Sequence, residues 1–227
     1  MKAEIKEINR EIFEWYISLE DKSDYAKPYL VTPEDGYCNA GNRGFILGKE
    51  TAGWLEQVAD PEIGQIEDEY DKVIEKSISM DGSAWWRMFF ELRDRVNTES
   101  VKLTAGNVAL LGYHYGKKGF PHKYMDKLAY FLKKYIEILK PGFIILFCGV
   151  GTRSGTDRPY ISLLEMIFGA YLGSEVVEGA ADQNKWPLYR LKFKNIGTMR
   201  VYGTRHPERA SNKWKEDIID TINETIK

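Results

Sequence analysis

The chain contains few cysteines, few histidines and no long apolar run. Its 227 residues include two cysteines and three histidines, too few for a disulfide framework, and their spacing does not match a zinc site. No apolar run approaches the roughly 18 residues that a membrane helix needs. The N-terminal segment alternates charges, unlike a signal peptide. We therefore expect a protein of a reducing cytoplasm that does not bind membranes.

The chain also lacks an excess of charge of one sign. Its 32 Lys and Arg residues face 34 Asp and Glu residues, which excludes binding driven by bulk positive charge. The distribution is nevertheless uneven. Residues 56–75 hold eight acids and one base, residues 117–153 hold eight bases and two acids, and residues 183–215 hold nine bases and one acid. The acidic stretch is typical of a solvated helix and loop. The basic stretches fit either a rim that binds phosphates or ordinary exposed charge.

Apolar spacing predicts an alternation of helices and strands. Predicted helices cover residues 1–20, 85–96, 125–139, 161–171 and 214–226. Predicted strands cover residues 45–47, 107–112, 143–148, 188–193 and 198–202. This order is typical of a mostly parallel sheet covered by helices. We predict one domain over residues 1–227, with a helix and loop extension over residues 1–42. Its fold would be a three-layer α/β/α sandwich around a central, mostly parallel four-stranded sheet.

The segments that directly follow the predicted strands are the candidates for a functional site. In an open parallel sheet, ligands bind beyond the carboxyl ends of the strands. The run from Gly44 to Lys49 has three residues between its glycines and continues with an acid, so it is not a phosphate-binding P-loop. The run 149–155 has Ser154 where a dinucleotide fingerprint needs its last glycine, and it is more typical of a flexible turn between a strand and a helix.

Two motifs remain, GKETAGW at residues 48–54 after the first strand and TRHPERAS at residues 204–211 after the last. In order and placement they resemble the two motifs of the uracil-DNA glycosylase superfamily, over roughly residues 43 to 215. The first motif also looks like that of a bacterial, uncharacterised subset of this superfamily with Gly-Gln-Glu-Thr-Asn-Gly-Trp at this position. The resemblance implies a DNA glycosylase-like hydrolase of N-glycosidic bonds that acts on a modified base, in DNA repair.

The resemblance also implies roles for individual residues. Glu50 would stabilise the sugar cation and orient a water molecule, and His206 would stabilise the leaving base. The base-binding candidates are Trp54, Asn107, Tyr113 and His114. The candidates for contacts with the nucleic-acid backbone are Lys49, Arg153, Arg205, Arg209 and Lys213. No metal or organic cofactor is implied, and the expected partner of a monomeric protein is DNA, including single-stranded DNA.

Several alternatives stay open at this point. Ala52 stands where uracil-specific enzymes of the family carry a tyrosine that excludes larger bases, so the identity of the base is open. Glu50 is also typical of the first turn of a helix, and His206 of a plain turn before Pro207. Trp54 and Tyr113 also fit a core. The fold could instead serve as a non-catalytic module that binds single-stranded nucleic acid. It could also hydrolyse a small nucleoside or nucleotide, which an acidic stretch at the pocket mouth would favour.

Overall fold

The short apolar runs become the inner strands of one six-stranded sheet. The strands are β1 (Asn42–Glu50), β2 (Val101–Ala109), β3 (Phe143–Phe147), β4 (Tyr171–Val176), β5 (Tyr189–Phe193) and β6 (Arg200–Thr204). The computed structural model describes residues 1–50, 62–74, 83–114, 120–149, 158–177, 187–208 and 210–226. Within these residues the strand order is β2-β1-β3-β6-β5-β4.

The sheet is mostly parallel, as the sequence predicts. Strands β2, β1, β3 and β6 pair in parallel, and β5 and β4 extend the sheet as antiparallel strands. The α/β class is therefore confirmed. The expected count of four strands is wrong, because the antiparallel pair β4–β5 joins the four parallel strands in the same sheet.

Six α-helices connect and cover these strands in the described part of the chain. They are α1 (Lys2–Ile17), α2 (Ile63–Ile74), α3 (Ala84–Val96), α4 (Met125–Leu139), α5 (Arg158–Phe168) and α6 (Asn212–Ile226). Helices α1, α4 and α5 form one contacting series, and α3 and α6 contact each other. None of these helices combines the length and the apolar content that crossing a lipid bilayer requires.

Helix α2 shows that the acidic stretch is solvated on one side only. Its side chains Ile66, Tyr70 and Val73 are fully buried, and their spacing along the sequence places them on one helical face. The hydroxyl of Tyr70 donates to the backbone oxygen of Ala105 in β2 at 3.2 Å. Among the acids of α2, Asp68 and Asp71 are exposed, whereas Glu67 is half-buried and accepts a hydrogen bond from the buried Asn9.

The N-terminal extension is packed into the core. Its segment at residues 25–31 runs beside the chain that follows β2: the N–H of Ala26 donates to the oxygen of Gly112 at 2.8 Å, and that of Tyr29 donates to the oxygen of Leu110 at 3.0 Å. Leu30 is also fully buried. This segment covers the carboxyl end of the edge strand β2.

Candidate active site at the carboxyl edge of the sheet

The strand registers place the two motif segments at the same level of the sheet. Leu47 in β1 pairs with Leu146 in β3, which pairs with Gly203 in β6. Glu50 and His206 each lie three residues beyond this row. Since β1 and β6 are separated by β3 alone, their backbones are roughly 10 Å apart, or two strand spacings. The side chain of Glu50 lies outside the described part of the structure.

The turn after β6 fixes the orientation of His206. The backbone N–H of Glu208 donates to Nδ1 of His206 at 3.2 Å. The guanidinium of Arg205 donates to the backbone oxygen of Glu208 at 3.4 Å and lies 5.6 Å from the centre of the Trp214 ring. A neutral imidazole that accepts at Nδ1 carries its proton on Nε2. His206 therefore presents Nε2–H as a hydrogen-bond donor.

His206 is neutral at physiological pH. Burial lowers the pKa of His206 to about 4, and the charge of Lys49 acts in the same direction. Glu208 raises the pKa of His206, and Arg205 lowers it, both by less than burial does. A neutral donor of this kind can stabilise a developing anion without first losing a proton.

Asn107 lies deep at the same edge, which supports its candidacy as a base reader. It is 6% exposed and pairs with Gly48 across the β1–β2 ladder. A Cβ on Gly48 would lie 2.6 Å from Oδ1 of Asn107, so the missing side chain of Gly48 leaves the space that the amide occupies. The sequence places Asn107 at the start of a strand over residues 107–112. The strand instead ends at Ala109, which puts Asn107 near its carboxyl end.

Trp85 is a residue at this edge that the motifs do not identify. The same Cβ on Gly48 would lie 3.3 Å from Cε2 of Trp85, and the centres of the Trp85 and Phe147 rings are 5.7 Å apart. Trp85 is half-buried at the first turn of α3, where Ser83 accepts the N-cap hydrogen bond from Trp86. This contact depends on how α3 packs on β1 and β3, and Trp85 is distant from both motifs in sequence.

Tyr113 and His114 are tied to the N-terminal extension. The ring of Tyr113 stacks on that of Tyr25 with centres 4.9 Å apart. The N–H of His114 donates to the backbone oxygen of Asp24 at 3.4 Å, and both candidate side chains are half-buried. Because one face of Tyr113 is covered by Tyr25, only its other face could stack on a base.

Of the backbone-contact candidates, Lys49 and Arg205 lie at the edge of the sheet, and Lys213 lies on the first turn of α6. The side chain of Lys213 is 70% exposed, and its Nζ is 3.9 Å from a carboxylate oxygen of Asp217. The remaining predicted residues, Trp54, Arg153 and Arg209, lie outside the described residues.

A separate cleft of about 720 Å³ lies between α1, α2, α3 and the loop at residues 32–35. Its wall includes the acidic residues Glu67, Asp68 and Asp71 of α2, and it contains none of the described edge residues. The described acids of α2 thus line a different surface from the candidate site. Within the described residues, no group of three or more His, Cys, Asp and Glu side chains could hold a metal ion.

Comparison with known proteins identifies no family for the chain. No family model matches it, and no curated protein matches it. Among the solved structures that match is a crystal structure of a domain of unknown function (DUF1537) from Bordetella bronchiseptica, a domain-swapped dimer with bound citrate. The identity is 11% and the TM-score is 0.36, with 83% of this chain and 43% of that chain covered. The chain therefore spans less than half the length of that protein.

Proposed function

We propose that the protein hydrolyses the N-glycosidic bond of a modified base in DNA at the carboxyl edge of its parallel strands. The observation that supports this proposal most strongly is the orientation of His206. Its imidazole is neutral and presents Nε2–H as a donor. In the strand register, His206 and Glu50 lie the same number of residues beyond one row, with β3 between their strands. The proposal includes the three-layer α/β/α fold that the resemblance to the uracil-DNA glycosylase superfamily implies. Its support is the parallel order β2-β1-β3-β6 together with the contacts that α3 and α4 make with β2.

In the proposed reaction, Glu50 acts on the sugar and the water, and His206 acts on the departing base. Water attacks C1′ of the sugar while the C1′–N bond breaks, and both electrons of that bond leave with the base nitrogen. The carboxylate of Glu50 orients the water, accepts the proton that the water loses on attack, and stabilises the positive charge on the sugar. His206 donates its Nε2–H to the departing base, where negative charge develops. Asn107 hydrogen-bonds to the edge of the base.

Release of a base from defined oligonucleotides tests the proposal. Single-stranded and duplex oligonucleotides that each contain one uracil, hypoxanthine or xanthine are incubated with the protein, and abasic sites are detected by alkaline cleavage. We expect release from at least one of them. Glu50→Gln and His206→Asn should each reduce the rate by about 100-fold or more. Glu216→Gln and His122→Asn, which alter exposed residues, should retain the wild-type rate.

The alternatives give different results in the same experiments. No release from any oligonucleotide, or full activity of Glu50→Gln and His206→Asn, would contradict the glycosylase proposal. A non-catalytic binding module would bind single strands with a steep salt dependence that Glu50→Gln leaves unchanged. Release from free nucleosides alone would indicate a small-molecule hydrolase. A monomeric state, DNA as the partner and a cytoplasmic location stay predictions.

A further inference from the structure

Lys49 occupies an unusual place for a lysine that would bind phosphate. It is the second-last residue of β1, and its side chain is half-buried. Lysines that contact a nucleic-acid backbone lie on exposed surface, as Lys213 does with 70% of its side chain exposed. Lys49 instead lies at the sheet edge where the two motifs meet.

The register places Lys49 level with the turn that carries His206. The paired row across the three strands consists of Leu47, Leu146 and Gly203. Two residues further along each chain segment lie Lys49, Cys148 and Arg205. Cys148 between them is a fully buried free cysteine. No acidic group therefore lies between Lys49 and Arg205 on the intervening strand.

The charge of Lys49 acts on the imidazole of His206. Among the described charged groups, Lys49 has the largest effect on the pKa of His206, ahead of Glu208 and Arg205. In the part of the chain that the structure describes, no carboxylate forms an ion pair with Lys49. A half-buried ammonium that no described carboxylate neutralises gains most from an anion that binds beside it.

We propose that Lys49 is a second catalytic group, which holds the negative charge of the leaving base together with Nε2–H of His206. This inference rests on the proposed function and narrows its substrate class to bases that depart as stable anions. Such bases are pyrimidine and purine diones, in which carbonyl groups beside the ring nitrogen spread the charge. The electrons of the broken C1′–N bond stay on the base as its negative charge. The attacking water supplies the hydroxyl on the sugar and passes its other proton to the carboxylate of Glu50.

Leaving groups of different acidity separate this role from phosphate binding. Lys49→Met and Lys49→Arg are compared with wild type on otherwise identical oligonucleotides that contain uracil or fluorouracil. Fluorine withdraws electrons, so the fluorouracil anion needs less stabilisation. We expect Lys49→Met to lower kcat by about 100-fold on uracil and by a smaller factor on fluorouracil, with KM nearly unchanged. Lys49→Arg should recover part of the loss, and Lys213→Met should leave the ratio of the two rates unchanged.

The titration of His206, followed by NMR, provides a readout that does not depend on turnover. The described charged groups that act on this imidazole are Lys49, Arg205 and Glu208. Loss of the Lys49 charge should raise the pKa of His206 in Lys49→Met relative to wild type.

Three results are decisive. An unchanged pKa of His206 in folded Lys49→Met would overturn the role of Lys49. If Lys49→Met loses activity equally on uracil and fluorouracil, through a higher KM, the role of Lys49 would also be overturned. The glycosylase proposal would then still stand. Wild-type protein that releases neither base would instead refute the proposed function for these substrates, and with it the leaving-group role.

Discussion

At the residue scale, the neutral state of His206 links the site to the stability of the protein. The pKa of His206 is about 4 in the folded chain and about 6.5 for an unperturbed histidine. Between these values the unfolded chain binds more protons than the folded chain, so the free energy of unfolding falls as the pH falls through this window. The contribution of His206 to this loss is at most about 3.5 kcal/mol, since one pKa unit corresponds to about 1.4 kcal/mol.

Replacement of His206 should therefore reduce the pH dependence of stability. We expect the unfolding free energy of His206→Asn to decrease less than that of wild type between about pH 7 and about pH 4.5, by about 2 kcal/mol. Urea unfolding at the two pH values measures this difference. His122→Asn, which alters an exposed histidine, should behave as wild type does. Parallel curves for wild type and His206→Asn would show that burial does not hold the imidazole neutral.

The residues at the edge differ in how far the sequence reveals them. Lys49 and His206 follow apolar runs directly, and the carboxyl-end rule of parallel sheets brings them to one edge. Trp85 could not be predicted in this way, because its contact with the space above Gly48 depends on how α3 packs on the sheet. The sequence also does not show that Tyr25 covers one face of Tyr113.

At the scale of elements, the packing of α3 on β1 depends on the absence of a side chain at Gly48. A methyl group there would approach the amide of Asn107 to 2.6 Å and the indole of Trp85 to 3.3 Å. Backbone pairing holds Asn107 in β2, and neighbouring rings surround Trp85. Neither side chain can therefore move away without disturbing its own element.

Gly48→Ala should destabilise the fold by about 1–3 kcal/mol, as overpacking of a core does. Gly64→Ala is the matched control, because a Cβ at Gly64 in α2 meets nothing within 4 Å. The control should be neutral or stabilising by up to about 1 kcal/mol. Urea unfolding of both variants gives the comparison. Equal stabilities would mean that Asn107 and Trp85 yield to the added methyl group.

Some boundaries of elements follow from local sequence, and others do not. Helix α4 has the predicted bounds of residues 125–139, because Lys140 adopts a left-handed backbone conformation after it and Pro141 and Gly142 follow. Helix α5 ends at Phe168, three residues before the predicted end at residue 171. The next residue, Gly169, adopts a φ of 75°, which ends the helix. Strand β4 was not predicted, because its mostly exposed residues do not alternate between apolar and polar.

At the scale of the whole molecule, one buried polar network joins distant parts of the chain. The hydroxyl of Tyr135 in α4 donates to Oδ1 of Asn9 in α1 at 2.5 Å, and the N–H of Val31 donates to the same hydroxyl at 3.2 Å. The amide of Asn9 donates to Oε1 of Glu67 in α2 at 2.8 Å. Asn9 and Tyr135 are fully buried, so their polar groups depend on one another in place of water.

Asn9→Ala should lower the unfolding free energy by about 2–3 kcal/mol, because it leaves the buried hydroxyl of Tyr135 without its acceptor. Asn39→Ala, at an exposed asparagine, should change stability by less than about 0.5 kcal/mol. The free energies come from denaturant unfolding followed by circular dichroism. A loss for Asn9→Ala no larger than that for Asn39→Ala would show that the network does not hold α1 on the fold.

The far edge of the sheet has a consequence for solubility. The pairing of β4 with β5 shifts register between Tyr171 and Gly173, and Gly173 adopts a φ of 117°, a conformation that side-chain-bearing residues rarely adopt. Leu172, between them, is 65% exposed. A straight strand that exposed this leucine would invite edge-to-edge association with other chains. Within the described residues the sheet ends at β4, and this irregular backbone disfavours regular edge-to-edge addition of a further strand.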